Sequence, residues 1–153
     1  MKRSDGFTLI EILVVIGIIG ILLDIFGTNL INSIRRANLQ EAQTVVATEF
    51  TRARSIAQRS SSDQPITWTA NTLNIGSKSV PVPNGAQIVN AAPASAYTYT
   101  APHGEFLAPT GQPEGLMLEL VDATGRYHTA VIALGVTGKV VRRGVLPASE
   151  PIN

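Results

Sequence analysis

An apolar segment near the N-terminus constrains this chain more than any other feature. From Phe7 to Phe26 the sequence is mostly Ile, Leu, Val and Gly, and Glu11 is the first charge within it. About 20 such residues form a helix of roughly 30 Å, which is the thickness of the hydrocarbon core of a bilayer. Lys2 and Arg3 precede the segment, so the positive-inside rule predicts a cytoplasmic N-terminus and an external remainder. No small-residue cleavage site follows the segment, and we expect it to remain as an anchor.

The apolar segment opens with a recognisable hexapeptide, Gly6-Phe7-Thr8-Leu9-Ile10-Glu11. It resembles, residue for residue, the processing site of class III signal peptides in type IV pilins and type II secretion pseudopilins. The resemblance implies that prepilin peptidase cuts between Gly6 and Phe7 and that the new Phe7 amine is then methylated. Residues 1–6 would be a cleaved leader, residues 7–28 a transmembrane and assembly helix, and residues 29–153 a periplasmic head. Before assembly, the chain would cross the inner membrane once.

Glu11 has a physical role in this interpretation. An ionised carboxylate inside a membrane helix costs roughly 2.5–3.5 kcal/mol on insertion scales and therefore needs a partner. Cleavage supplies the charged amine of Phe7, four residues away on the same helix face, either within one chain or from a neighbouring one. In the pilin family the contact between chains sets the axial register of filament assembly. The alternative is a protonated or snorkelling glutamate in a plain signal anchor.

Asp24 is the second carboxylate of the apolar segment. It lies 13 residues beyond Glu11, about 20 Å along a helix, which places it near the outer membrane interface. We expect a solvated interfacial aspartate, and a second salt bridge between helices in a filament core is the alternative. Gly17, Gly20 and Gly27 permit close helix approach but cost about 1 kcal/mol each in helix propensity.

The helix is predicted to continue well beyond the membrane segment. Apolar residues recur at spacings of three and four from Ala42 to Ala57, and no proline precedes Pro65. This pattern predicts one helix from Phe7 to about Ser61, amphipathic over residues 29–61.

Residues 64–153 show short β-type segments divided by Gly, Pro and Asn, which predicts antiparallel strands. The predicted strands are Ile66–Ala70, Thr72–Ile75, Gln87–Val89, Ala96–Thr100, Leu116–Val121, Tyr127–Leu134 and Lys139–Val145. Turns at 122–125 and 135–138 predict that the last three strands form a meander. Four prolines predict a long surface excursion from Asn90 to Gly115. The fold class is therefore α+β, with a long N-terminal helix packed on a small antiparallel sheet, as in the pilin fold.

The second half also resembles the FimT/GspH group of minor pilins and pseudopilins. The likeness rests on Trp68, on the stretch from Tyr99 to Gly104 with Pro102, and on the terminal hairpin from Val131 to Val140. With the hexapeptide, these points cover nearly the whole chain.

The sequence offers little for enzymatic chemistry. The chain has no cysteine, and its two histidines, His103 and His128, lie in different predicted elements without ligands at metal spacing. We expect a loop histidine and a strand-face histidine, no catalytic residue, no metal and no cofactor.

One basic cluster remains, formed by Lys139, Arg142 and Arg143, with Arg126 adjacent if the meander brings it near. Some FimT-type minor pilins are thought to bind DNA through a similar stretch after the last hairpin glycine. A regular strand would divide the cluster between its two faces, so it concentrates only if the chain leaves the sheet by Arg142. The alternative is a set of solvated edge-strand charges that deter aggregation. Cleavage of the leader would remove Lys2, Arg3 and Asp5, and the side chains of the mature chain would then have equal numbers of positive and negative charges. The net charge therefore gives no argument for DNA binding, and only a local basic patch does.

These observations predict a non-enzymatic filament subunit, either a minor pilin of a type IV pilus, including one for DNA uptake, or a type II secretion pseudopilin. Its expected partners are prepilin peptidase, other pilin or pseudopilin subunits, the inner-membrane assembly platform, membrane lipid and, for the basic cluster, DNA. The alternative from another class is a singly anchored periplasmic binding module that never polymerises.

Overall fold

The computed structural model describes residues 8–152, apart from the side chain of Ile25. A long α-helix, α1, runs from Leu9 to Ser60 and is preceded by Thr8, whose carbonyl accepts hydrogen bonds from the N–H groups of Glu11 and Ile12. The predicted long helix is confirmed, and it ends one residue before the expected position. Its predicted first residue, Phe7, lies outside the described residues.

The chain divides into two compact units between Ile34 and Arg35. In the first unit, the large apolar side chains of α1 are exposed, from 46% for Leu22 to 80% for Leu9. The helix is long and apolar enough to cross a membrane by length and composition. Such a surface is unfavourable in water, so it requires lipid or other apolar helices around it.

In the second unit, one face of α1 is fully buried. Its core residues recur at spacings of three and four and are at most 1% exposed: Leu39, Ala42, Val46, Phe50, Ala53 and Ala57. This periodicity places them on one stripe, which is the amphipathic pattern predicted for this part of the helix. The stripe packs with the inner residues of the strands in a single hydrophobic cluster.

Within residues 8–152, ten short strands follow the helix. They are β1 (Gln64–Trp68), β2 (Thr72–Ile75), β3 (Lys78–Pro81), β4 (Gln87–Ile88), β5 (Tyr97–Tyr99), β6 (Phe106–Leu107), β7 (Leu116–Val121), β8 (Tyr127–Ala133), β9 (Val140–Arg142) and β10 (Leu146–Pro147). The first sheet has the order β3-β2-β1-β5-β6, and every pairing in it is antiparallel. The second has the order β10-β8-β7-β4, with β9 also paired to β8. The α+β class and the pilin-like architecture are thus confirmed, although the strands form two sheets and not one.

Aromatic side chains join the helix to the first sheet. The Phe50 ring lies 6.4 Å from that of Tyr99 and 6.1 Å from that of Phe106, and the last two rings are 4.9 Å apart. Burial raises the pKa of the Tyr99 hydroxyl, which donates a hydrogen bond to the carbonyl of Gly138 at 3.2 Å. This bond connects the first sheet to the turn that follows β8.

The prediction for Asn90–Gly115 was wrong in one respect. The segment contains β5 and β6, and within it Tyr99 and Phe106 are completely buried. Its prolines lie outside these strands, where they interrupt no ladder hydrogen bond. The segment therefore contributes to the core and is not a surface excursion throughout.

The predicted strand positions were otherwise close, and the meander of β7, β8 and β9 is confirmed. The seventh predicted strand was wrong as a continuous strand from Lys139 to Val145, because β9 ends at Arg142 and β10 begins at Leu146. Sequence analysis did not identify β3, β6 or β10. All three are short, contain a proline or have few alternating residues, and lie at the ends of their sheets.

Candidate functional site

Glu11 lies in the first turn of α1, where it has a local structural role. Its N–H donates to Thr8 Oγ1 at 3.3 Å and to the Thr8 carbonyl at 3.1 Å. Thr8 and Glu11 thus have the spacing of a capping box, in which the threonine caps the helix and the glutamate is three residues later. A carboxylate at this end also interacts favourably with the helix dipole, by about 0.3–1 kcal/mol at exposed positions. The predicted cleavage site and the Phe7 amine lie outside the described residues.

The glycines of the apolar segment are not explained by packing inside the chain. A Cβ atom added at Gly17, Gly20 or Gly27 would meet nothing within 4 Å. Asp24 is exposed, and it lies three residues from Gly27, four from Gly20 and seven from Gly17, which places it on the same helix face. This face is thus available for close approach by another helix or by lipid.

A β-bulge at Arg143 and Gly144 shapes the end of β9. In β9, Arg142 lies opposite Val131, while β10 pairs with β8 in a register displaced by one residue. Arg143 and Gly144 therefore both lie opposite Ala130, whose carbonyl accepts the N–H of Arg143 at 2.9 Å. Strand β9 ends at Arg142, and pairing with β8 resumes one residue out of register at β10.

The buried side chain of Gln43 holds this bulge against α1. Its Nε2 lies 2.6 Å from the Arg143 carbonyl, 2.9 Å from the Ala130 carbonyl and 2.7 Å from Thr129 Oγ1. Thr129 Oγ1 also donates to the Arg143 carbonyl at 2.9 Å. Because an amide nitrogen has only two hydrogens, these acceptors share two donors. The helix therefore determines where the chain after β9 lies.

An open groove separates α1 from β9, and we call it the α1–β9 groove. It is lined by Gln40, Gln43, Thr44, Ala47, Thr48, Thr51, Arg52 and Ser55 of the helix and by residues 139–144. The structure brings the three predicted basic residues, Lys139, Arg142 and Arg143, together along it. Arg142 lies across the groove, where its Nη1 donates to Thr44 Oγ1 at 3.1 Å. Thus the helix, which sequence analysis did not connect with the cluster, forms one wall of the groove.

Arg126 does not join the cluster. Its carbonyl accepts the N–H of Ala148, so it lies opposite the end of β10 and not opposite β9. Four residues separate it from Ala130, which corresponds to about 13 Å along a strand.

The two histidines occupy separate environments, as expected. His103 is an exposed residue of a turn, and its carbonyl accepts a hydrogen bond from Gln58 Nε2. His128 lies in β8, with its Nδ1 2.9 Å from Glu119 Oε1. Within residues 8–152, no group of three or more His, Cys, Asp or Glu side chains is arranged to hold a metal ion.

Asp122, the residue after β7, has a structural role in the turn between β7 and β8. Burial acts to raise its pKa, but hydrogen bonds from the Thr124 hydroxyl and from the N–H groups of Tyr127, Thr124 and Arg126 outweigh burial, and the pKa is lowered. Asp122 thus stabilises the turn between β7 and β8.

Sequence analysis missed Gln43, and a signal for it was present. Gln43 follows Ala42 within the stripe of buried helix residues, where a polar side chain needs an internal hydrogen-bond partner. The bulge had no such signal, because nothing in the spacing from Lys139 to Val145 marks an extra residue.

Comparison with protein-family models finds the prokaryotic N-terminal methylation motif at residues 1–23. Comparison with curated proteins and with solved structures finds no significant match. The motif supports a type IV pilin-like prepilin and implies processing by prepilin peptidase and assembly with other pilins. It indicates a structural protein and not an enzyme, and together with the long apolar helix it is consistent with a membrane-anchored chain.

Proposed function

We propose that this protein is a minor pilin or pseudopilin that polymerises through α1 into a type IV pilus or a type II secretion filament. The observation that carries the proposal is the apolar, exposed first part of the helix, which begins within the methylation motif at residues 1–23. Hydrophobic burial of this surface against neighbouring helices would drive assembly once the subunit leaves the lipid. The head, residues 29–153, would form the outer surface of the filament.

Processing is the first step of this function. Prepilin peptidase would remove residues 1–6 and expose the amine of Phe7, which is then methylated. The direct measurement is the intact mass and N-terminal sequence of membrane-extracted protein from cells with and without the peptidase. A mature chain that begins at methylated Phe7 only in the presence of the peptidase supports the proposal. An unprocessed chain, or a cut after Phe26, contradicts it.

Glu11 is proposed to set the register between subunits through the Phe7 amine of a neighbour. Its capping contact with Thr8 provides a second interpretation, in which Glu11 only stabilises the start of the helix. Glu11→Gln separates them, since glutamine retains the hydrogen-bonding position of a capping box but removes the charge. We expect Glu11→Gln to abolish incorporation into filaments while leaving membrane insertion and helix content unchanged. Asp24→Asn removes the other carboxylate of the apolar segment and tests the alternative of a second salt bridge between helices.

If Glu11→Gln subunits assemble normally, the proposed salt bridge is wrong. If the unmodified chain never enters filaments that contain other pilins, the singly anchored binding module becomes the better interpretation.

The proposed subgroup is FimT/GspH, and its characteristic residues have clear structural roles here. Trp68 packs on Tyr97 with ring centroids 5.5 Å apart, while Tyr99 and Gly104 both contact Gly138 in the terminal hairpin. Membership of this subgroup is compatible with a type IV pilus and with a type II secretion filament. Deletion of the gene, followed by separate assays of piliation and of protein secretion, distinguishes the two machines.

A role in DNA uptake stays a prediction from the resemblance. The gathering of Lys139, Arg142 and Arg143 in one groove supports it. If the groove binds DNA through phosphates, replacing both arginines by alanine should remove salt-sensitive binding and reduce the salt slope by about 2. No binding by the unmodified protein at low salt would exclude this role.

A further inference from the structure

One edge of β9 faces away from the sheet. The Leu134 N–H donates to the Lys139 carbonyl and the Arg143 N–H donates to the Ala130 carbonyl, both at 2.9 Å. Hydrogen-bonded residues alternate along an antiparallel pair, so residues 139, 141 and 143 face β8. The N–H and C=O groups of Val140 and Arg142 therefore point away from β8.

Those two residues are also the only part of β9 that lines the half of the α1–β9 groove next to Thr48, Thr51 and Ser55. This half has a volume of about 620 Å³ and is open to solvent. Space exists there because most of the helix residues that line it have short side chains. These are Thr44, Ala47, Thr48, Thr51 and Ser55, and the one long side chain is the exposed Arg52. An unpaired strand edge thus lies beside a wall with room for another chain.

The charges around the groove have one sign. Its lining residues include Arg52, Lys139, Arg142 and Arg143 and no carboxylate. Arg52 is the least available, since its Nη1 lies 3.7 Å from Glu49 Oε2. The hydroxyls of Thr44 and Thr51 already donate to helix carbonyls at 2.8 and 2.9 Å. They can accept hydrogen bonds but are poorly placed to donate them to an anion.

We propose that the α1–β9 groove binds an extended acidic segment of a partner protein, which pairs with Val140 and Arg142 as an added strand. Main-chain hydrogen bonds to the open edge would provide affinity, and carboxylates of the segment would meet Arg142, Arg143 and Lys139. A nucleic acid fits this edge less well, because a phosphodiester backbone has no N–H group to donate to the carbonyls of Val140 and Arg142.

The bulge limits how far the pairing extends. After Arg143 the register shifts by one residue, and β10 contains Pro147, which lacks an N–H group. Bulges, basic residues and proline are also the devices by which proteins protect sheet edges from uncontrolled pairing. Here they restrict the open edge to two residues and up to four backbone hydrogen bonds, so binding depends on the charges as well as on the strand.

The test uses the full chain in detergent micelles and a short fluorescein-labelled peptide of alternating glutamate and valine, with binding followed by fluorescence anisotropy. Val140→Pro removes one outward N–H without removing a hydrogen bond to β8. We expect Val140→Pro and Arg142→Glu each to weaken binding by about tenfold or more, which corresponds to about 1.4 kcal/mol. Arg126→Glu makes the same charge change outside the groove and should leave the affinity within about twofold.

Two further probes test the mechanism without changing the protein. The same peptide is prepared in two forms, one with N-methyl groups on every glutamate and one with N-methyl groups on every valine. Each form blocks the N–H groups along one edge of the peptide strand. We expect no binding by the form whose blocked edge would face β9. Equal binding of both forms, or of a peptide with lysine in place of glutamate, overturns the proposal. Failure of the acidic peptide to bind also overturns it, and binding of a single-stranded oligonucleotide alone assigns the groove to nucleic acid.

Discussion

Gly138, in the turn after β8, lies close to Gly104 and to the Tyr99 ring of the first sheet. It has a positive φ of 60°, and a Cβ atom there would lie 2.0 Å from the Gly104 carbonyl oxygen and 3.0 Å from the Tyr99 ring. We expect Gly138→Ala to lower the free energy of unfolding by about 3 kcal/mol, through backbone strain together with the steric clash. Urea unfolding of the full chain in micelles, followed by Trp68 fluorescence, measures the loss.

Gly125→Ala is the matched control for Gly138→Ala. Gly125 has a similar φ of 68°, but a Cβ atom there would meet nothing within 4 Å. The control should therefore lose only the conformational part, about 1 kcal/mol. Equal losses at the two positions would show that the contact with Gly104 is unimportant.

Because of Asp122, we expect the free energy of unfolding to decrease at acid pH. Its pKa is lowered in the folded state, so its contribution is present above the ordinary carboxyl pKa of about 4 and is lost as the pH falls below that value. Asp122→Asn should lower the free energy of unfolding by about 1–3 kcal/mol at neutral pH, with a smaller difference near pH 3. Thermal unfolding at both pH values tests this, and a difference that does not shrink in acid would contradict it.

Among single residues, a chemical signature is what allows a prediction. The hexapeptide Gly6 to Glu11 predicts processing, which stays a prediction. Thr8, followed by Glu11 three residues later, has the spacing of a capping box, which sequence analysis did not use. Gln43 was not recognised, because its function depends on the carbonyls of Arg143 and Ala130, which are distant in sequence and oriented by the bulge. A buried polar residue in an apolar stripe shows that a partner exists but does not identify it.

At the scale of elements, Gln43 links α1 to β8 and to Arg143, the residue after β9. Replacing it with leucine retains the apolar volume but leaves the Arg143 and Ala130 carbonyls with fewer donors. We expect Gln43→Leu to lower the free energy of unfolding by about 1–3 kcal/mol, the cost of buried carbonyls without partners. Gln40→Leu, one turn earlier and exposed, is the control and should change it by less than about 0.5 kcal/mol. A loss of similar size at both positions would remove the special role of Gln43.

Sequence periodicity predicts the bounds of some elements more accurately than those of others. A helix of this length produces many repeats of its pattern, so α1 was predicted to within a residue at its C-terminal end. Strands β2 and β7 alternate cleanly and were predicted with their observed bounds, whereas β3, β6 and β10 have only two to four residues each. The strand that contains Tyr99 was predicted as Ala96–Thr100, whereas β6, with Phe106, has two residues and lies between Pro102 and Pro109, so its segment was predicted to be a surface excursion.

At the scale of the whole molecule, the two units have opposite requirements. The first exposes its apolar residues and needs lipid or other helices, whereas the second buries a continuous core of helix and strand residues. The sequence predicted both properties from composition and periodicity. The division of the strands into two sheets was not predictable, because it depends on which edges pair and therefore on contacts distant in sequence.

This division predicts that the head folds without the membrane helix. The first buried side chain described is Leu39, so a fragment of residues 29–153 retains every core residue of the second unit. We expect the fragment to be soluble and monomeric in size-exclusion chromatography, with a Tm within about 5 °C of that of the full chain in micelles. A fragment of residues 47–153 lacks Leu39 and Val46, which together contribute about 4–8 kcal/mol of packing, and it should not fold. If the longer fragment aggregates or lacks near-UV circular dichroism, the core depends on residues before position 29, and the membrane helix is part of the head's fold rather than only its anchor.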